Sequence, residues 1–185
     1  MFKIRHEKPS DIAAREALLD LAYGPIRFSK TSELLRIGRQ AARGLSFVAE
    51  EDGRIVGTVR LWTVAAGADR PALLLGPLAI HPDRRSRGIG SALMRHALES
   101  AIRLNHAAVL LVGDAAYYAR FGFSAERTGK LWLPGPYEPH RLLGLELRRG
   151  ALEGARGLIK APKPATKVPV RALGRHGRWP KPQAA

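Results

Sequence analysis

Cysteine is absent from this 185-residue chain, which excludes disulfides, zinc–thiolate centres and a cysteine nucleophile. That absence fits a reducing compartment, and a cytoplasmic location is expected. Long apolar runs are absent too. None approaches the length that crosses a bilayer, so no membrane partner is expected. The opening MFKIRHEKPSD has no apolar core, so no secretory leader is expected. The histidines show no metal-ligand spacing, and no metal is expected. Gly-Lys-Ser/Thr, the ending of a P-loop, and Gly-x-Ser-x-Gly, the hydrolase elbow, occur nowhere. No internal repeat is visible. Acid is in short supply: 16 Asp and Glu face 31 Lys and Arg, a formal net charge of +15.

What is present suffices for one domain with an appendage. Apolar residues make up 45% of the chain, enough for a core. Residues 1–150 are read as the domain, and residues 151–185 as a basic, Pro-rich, flexible C-terminal tail. Residues 160–185 carry seven Lys or Arg and no acid. Five prolines there leave too little apolar area to offset the entropy of ordering. Such an arm suits contact with the phosphates of nucleic acid or ribosomal RNA. Residues 151–159 predict a weak helix.

Taken in order, residues 2–5 alternate like a strand with one buried face. Pro9-Ser10-Asp11 opens a helix whose apolar residues are Ile12, Ala13, Ala17, Leu18 and Leu21, ended by Gly24-Pro25. Residues 29–42 read as a second helix. Two strand patterns flank Asp52-Gly53, a strong hairpin signal. Residues 72–80 form an apolar strand buried on both faces, interrupted by Gly76-Pro77, where ladder pairing weakens. Residues 107–112 are a second buried strand, parallel to the first through a right-handed helical crossover. A short helix follows from residue 115, then a strand opening at Phe123. Residues 128–141 form a Gly/Pro-rich loop, and residues 142–147 a last strand.

The informative stretch lies between the two buried strands. After residue 80 come Arg84, Arg85 and Arg87, then Gly88-Ile89-Gly90-Ser91, then a helix with its apolar stripe at Ile89, Leu93, Met94, Ala97, Leu98, Ala101 and Ile102. Helices favour acid in their first turn. Here the first acid is Glu99, and two glycines occupy the turn at roughly 1 kcal/mol each against Ala in a helix interior. A helix start that is basic, glycine-rich and without its own anion predicts an anion from a ligand. A Rossmann fingerprint would need glycine where Leu93 stands.

Arg85-Ser86-Arg87-Gly88-Ile89-Gly90 resembles the Q/R-x-x-G-x-G/A signature of the GNAT superfamily of acetyl-CoA-dependent N-acyltransferases. Leu78-Ala79-Ile80-His81-Pro82 resembles that family's fourth strand and the turn after it. Tyr118-Ala119-Arg120-Phe121-Gly122-Phe123 resembles its Tyr-x-x-x-Gly-Phe segment. The resemblance covers roughly residues 2–147. It implies an α/β (α+β) single domain: a mixed central sheet of about seven strands, splayed between strands 4 and 5, with helices on both faces. It implies acetyl-CoA as acyl donor. Leu78, Ala79 and Ile80 would bond the pantetheine arm, and Arg85, Ser86, Arg87, Gly88, Ile89, Gly90 and Ser91 would hold the diphosphate. The helix pair near the N-terminus would line the acceptor side, with Arg27, Phe28, Glu33 and Arg36 as contacts.

Making an amide from a thioester requires the amine to lose a proton, the carbonyl oxygen to be stabilised and the thiolate to leave. The resemblance makes Tyr118 the general acid for the thiolate, with its neighbour Tyr117 about 100° away around a helix. The base is open. Many family members carry Glu on the fourth strand, where this chain has none; Asp114, Glu33 or water could serve. His81, in His-Pro-Asp, reads as a structural corner. The expected activity is acetyl transfer to a primary amine by direct attack in a ternary complex. The alternative is an RNA- or ribosome-binding protein on a degenerate acetyltransferase scaffold. Monomer and homodimer stay equally open.

Overall fold

A computed structural model describes residues 1–68 and 70–162. The basic stretch from residue 163 onward, and the nucleic-acid contact expected of it, lie outside the described residues. The main sheet has the order β1 (Lys3–His6), β2 (Ser46–Glu51), β3 (Arg54–Ala66), β4 (Arg70–Ile80), β5 (Ala108–Val112), β7 (Leu142–Glu146). Every neighbouring pair is antiparallel except β4 and β5, which run parallel. The α/β fold class expected from the sequence is the observed one, with six strands in this sheet. A second, two-stranded sheet pairs β6 (Leu131–Trp132) with β8 (Gly157–Leu158). Asp52 and Gly53, both at positive φ, make the β2–β3 turn as expected.

Helix α2 (Ile89–Arg103) buries Ile89, Leu93, Met94, Ala97, Leu98 and Ala101 against Phe47, Val59, Leu61, Leu73 and Val109 on one sheet face. Its periodicity was legible in full except at Ile102, which is exposed. The other face packs Trp62, Val64, Leu74 and Leu110 against Leu131, Leu133, Leu152 and Ile159. Helix α1 (Ile12–Tyr23) lies on that face too, with Leu18 and Leu19 on Ala79.

Four sequence expectations need correcting. The stripe of α1 is not Ile12, Ala13, Ala17 and Leu21, all of them exposed; it is Arg15, Leu18 and Leu19. Arg15 can be buried because Glu7 and Glu16 pair with it, and Arg60 joins Glu7 at 2.7 Å. Residues 29–42 are not an α-helix but 3-10 turns, Pro25–Ser29 and Thr31–Leu35, followed by Gly38 at φ +68°. Leu34 and Ile37 are spaced as in a helix but both are exposed, and only Leu35 is buried, so no apolar face holds a helix here. The strand expected at Phe123 shrinks to one bridge, Ser124 to Gly144. Ser124 Oγ accepts from the Glu126 amide at 3.1 Å, turning the backbone into a 3-10 helix, Ala125–Thr128.

The fourth correction concerns the boundary at residue 150. The weak helix expected at residues 151–159 is absent, and this segment belongs to the folded body. Leu152, Ala155 and Ile159 are buried, β8 pairs with β6, and Lys160 exchanges two backbone hydrogen bonds with Ala65 at 2.8 and 3.0 Å. Three apolar side chains spaced by turns suffice to dock a segment on a preformed face.

Candidate active site

Gly88 caps α2 at φ +77°, and Ser86 also has a positive φ of 60°. This pair of left-handed residues turns successive amides toward one side, the shape of an anion-binding nest. The first backbone bond of the helix runs from Ala92 to Gly88, and no hydrogen bond among the described residues takes an amide from residues 86–91. Arg84 is already engaged with Glu51 at 2.6 Å. Arg85 and Arg87 are exposed and have no ion pair among the described residues. A Cβ on Gly90 would stand 3.2 Å from Tyr117 Oη and 3.6 Å from Ile80 Cγ1, so this glycine lets those side chains pack close to the helix start.

The parallel strands beside this helix start are themselves parted. β4 and β5 pair only at Leu73 with Val109 and Leu74 with Leu110, and beyond Leu74 they separate. Gly76 adopts φ +128°, the register of β4 on β3 shifts around Leu75 to Leu78, and the Trp62 indole donates to the Gly76 carbonyl at 2.6 Å. The splay expected at Gly76-Pro77 is therefore present. One part of the expectation is corrected: the Leu78 carbonyl is not free, because the Tyr23 hydroxyl donates to it. Ala79 and Ile80 pair with β3 on one side and have no strand on the other.

At the inner end of the splay is a cavity of about 90 Å³, lined by Tyr23, Glu33, Arg36, Gly76, Leu111 and Tyr118 among others. Tyr118 ends α3 (Ala115–Tyr118) and packs edge-on against Tyr117 and Phe123. Burial pushes the Tyr118 phenol well above its ordinary value of 10, with Tyr23 and Tyr117 adding to the shift. A Cβ on Gly113 would meet Tyr118 Cε2 at 2.2 Å, so the tyrosine occupies the space that any other residue at 113 would fill. Asp114 does not line the cavity; it is exposed, and its Oδ1 caps α3 by accepting from Ala116 at 3.0 Å.

Glu33 does line the cavity, where it pairs with Arg36 at 2.9 Å. Phe28 does not; it is exposed, with the Arg27 guanidinium 4.1 Å above its ring. His81 Nδ1 accepts from the Asp83 amide at 3.3 Å, a turn-closing role. Sequence reasoning missed Tyr23, Lys30, Gly113 and the lining residues Leu111 and Val112. A lone aromatic or glycine at an element's end carries no signal of its own. Among the described residues, no group of three or more His, Asp or Glu is placed to hold a metal ion, and no helix is long and apolar enough to cross a membrane.

The family model described as "Acetyltransferase (GNAT) domain" matches residues 42–125. The N-acetyltransferase YhbS of Escherichia coli strain K12, described as uncharacterized, is 30% identical over 163 residues, 85% of this chain and 94% of YhbS. A crystal structure of the GNAT family N-acetyltransferase YhbS from Escherichia coli in complex with CoA superposes with a TM-score of 0.75 at 29% identity, covering 87% of this chain and 89% of that one. A GNAT family acetyltransferase from Brucella melitensis in complex with acetyl-CoA gives a TM-score of 0.59 at 31% identity, covering 80% of this chain and 97% of that one.

Proposed function

This chain belongs to the GNAT family of N-acetyltransferases, and on that premise we propose that it transfers the acetyl group of acetyl-CoA directly to a primary amine bound beside it. The observation that carries this reading is the opening of β4 from β5 next to a helix start whose amides, residues 86–91, have no acceptor of their own. Acetyl-CoA, when bound, supplies an acetyl thioester and a thiol leaving group.

The chain's own residues fit that donor. Amides of residues 86–91, the positive end of the α2 dipole, and Arg85 and Arg87 suit a diphosphate. Gly88 and Gly90 let it approach the backbone. The open edge of β4 at Ala79 and Ile80 offers backbone groups to the pantetheine amides. Tyr118 holds its proton across the neutral range, since burial raises its pKa. A thiol's ordinary pKa is about 8.5, so a phenol above 10 supports a sulfur gaining charge chiefly by hydrogen bonding. Glu33 is the carboxylate in the cavity and is assigned to accept the amine's proton, directly or through water. Asp114, engaged as a helix cap, is not.

Thermal denaturation with acetyl-CoA tests the premise. At a hundredfold excess over Kd, binding stabilises the fold by about 2.7 kcal/mol. No shift at millimolar donor rejects the reading. Tyr118→Phe is expected to lower kcat by about tenfold or more with donor affinity kept, while Tyr117→Phe changes little. Equal effects from both would remove the assignment of Tyr118.

A further inference from the structure

Arg36 is 7% exposed, yet its guanidinium is not fully used. Its Nη2 stands 2.9 Å from Glu33 Oε2 and donates to Ser32 Oγ at 3.2 Å. Its Nε is buried with no hydrogen-bond partner among the described residues, and its Nη1 lies 3.7 Å from where a Cβ on Gly76 would stand. Nε is sealed from solvent and cannot itself meet a ligand, so the donor of this charge left open, with no hydrogen-bond partner among the described residues, is Nη1. A second cation faces the same cavity. Lys30 Nζ sits 4.3 Å over the Tyr23 ring and has no ion pair among the described residues. Arg27, the third lining cation, is already neutralised by Glu16 at 2.7 Å and Asp20 at 2.8 Å. Arg36 and Lys30 thus face a single acid, Glu33.

Size narrows the occupant. The cavity of about 90 Å³ has room for a few waters or a small polar head group. It meets a wider groove of about 400 Å³ at Lys30, Ser32 and Val112, lined further along by Ile26, Leu133, Pro136 and Tyr137.

Resting on the acetyl-transfer reading above, we propose that the acceptor is an amino-acid-like molecule: a primary amine that also carries a carboxylate, which docks on Nη1 of Arg36 with Lys30 alongside. Nη1 and the Lys30 ammonium offer two charged donors, one for each carboxylate oxygen. Glu33, held on Nη2 of Arg36, is left to receive the amine. The groove takes the acceptor's side chain. An amine lacking the carboxylate leaves Arg36 unmatched, and a polyamine places further positive charge against Arg36 and Lys30.

Calorimetric titration of the full-length protein, saturated with CoA, tests this with the protein amino acids and their decarboxylated counterparts, such as phenylalanine against phenethylamine and leucine against isopentylamine. The best-bound amino acid is expected to bind about tenfold or more tighter than its partner, a difference of about 1.4 kcal/mol. Arg36→Gln is expected to abolish that preference. Lys30→Gln, altering an exposed side chain, is expected to reduce it and keeps the test sound if the Arg36 variant fails to fold. Equal affinities within pairs, no binding by any member, or a preference intact in a folded Arg36→Gln protein would overturn the inference. Acetyl-CoA affinity of the same preparation separates the two readings. Its absence overturns acetyl transfer, whereas its presence without a carboxylate preference overturns only the acceptor class.

Discussion

Gly113 places Tyr118 by having no side chain. With a Cβ there only 2.2 Å from Tyr118 Cε2, Gly113→Ala must displace the ring. A shift of about 1 Å in a positioned group can cost about a hundredfold in rate. Gly113→Ala is therefore expected to lower kcat by at least about tenfold while the calorimetric Kd for acetyl-CoA stays near that of the native protein; a loss of donor binding instead would show that Tyr118 sits elsewhere. Asp11 is a second residue whose surroundings decide its behaviour. Arg5 donates to it at 3.0 Å and pairs with it at 2.6 Å, the Lys8 amide adds a bond at 2.7 Å, and together they hold its carboxyl down at about 2. Because the folded pKa is the lower one, this stabilisation is complete above the ordinary value of 3.8 and is lost as the pH falls toward 2. Asp11→Asn is expected to cost about 1–2 kcal/mol at neutral pH. The gap between the native and variant melting temperatures should narrow as the pH is lowered below about 4. None of these pairings was legible in advance: Arg5 and Asp11 are near in sequence, but nothing in their types marks them as partners.

At the scale of elements, α2 was legible because its buried side is written in the residues themselves: apolar side chains at helical spacing after a glycine turn. The segment ending at Lys160 was not, since its docking depends on a face built by β3, β6 and β7. Its weight can be measured. Ile159 is fully buried, and Ile159→Ala is expected to cost roughly 3 kcal/mol, about 6–12 °C in Tm. Ile102, assigned to the buried stripe of α2 but in fact 56% exposed, is the control, and Ile102→Ala should stay within about 0.5 kcal/mol. Similar losses at both positions would mean that residues 151–160 add no more to the core than a surface side chain does. The irregular segment 25–38 follows the same logic in reverse. Its apolar residues Leu34, Leu35 and Ile37 predict a helix, but a Thr31 bond to the Pro136 carbonyl and the buried Arg36 set its path from outside.

For the molecule as a whole, the net charge of +15 sets a positive field that favours an anionic donor. Between about 0.01 and 0.15 M ionic strength the screening length falls from about 30 to 8 Å, so the Kd for acetyl-CoA is expected to weaken several-fold over that range. An unchanged Kd would assign donor affinity to the local amides and arginines alone. The sequence by itself determined the α/β class, the order of strand, basic turn and glycine-started helix, and the weak point at Gly76-Pro77, because periodicity, turn chemistry and helix-start composition act between residues close along the chain. Only the tertiary structure decided that Arg15 lies inside, that Tyr23 occupies the Leu78 carbonyl, that Arg36 and Lys30 share one cavity, and that residues 151–160 complete the core. Burying a charge or seating a segment is settled by groups dozens of residues away, as Glu7 with Arg60 shows, and no local pattern encodes a partner at that distance.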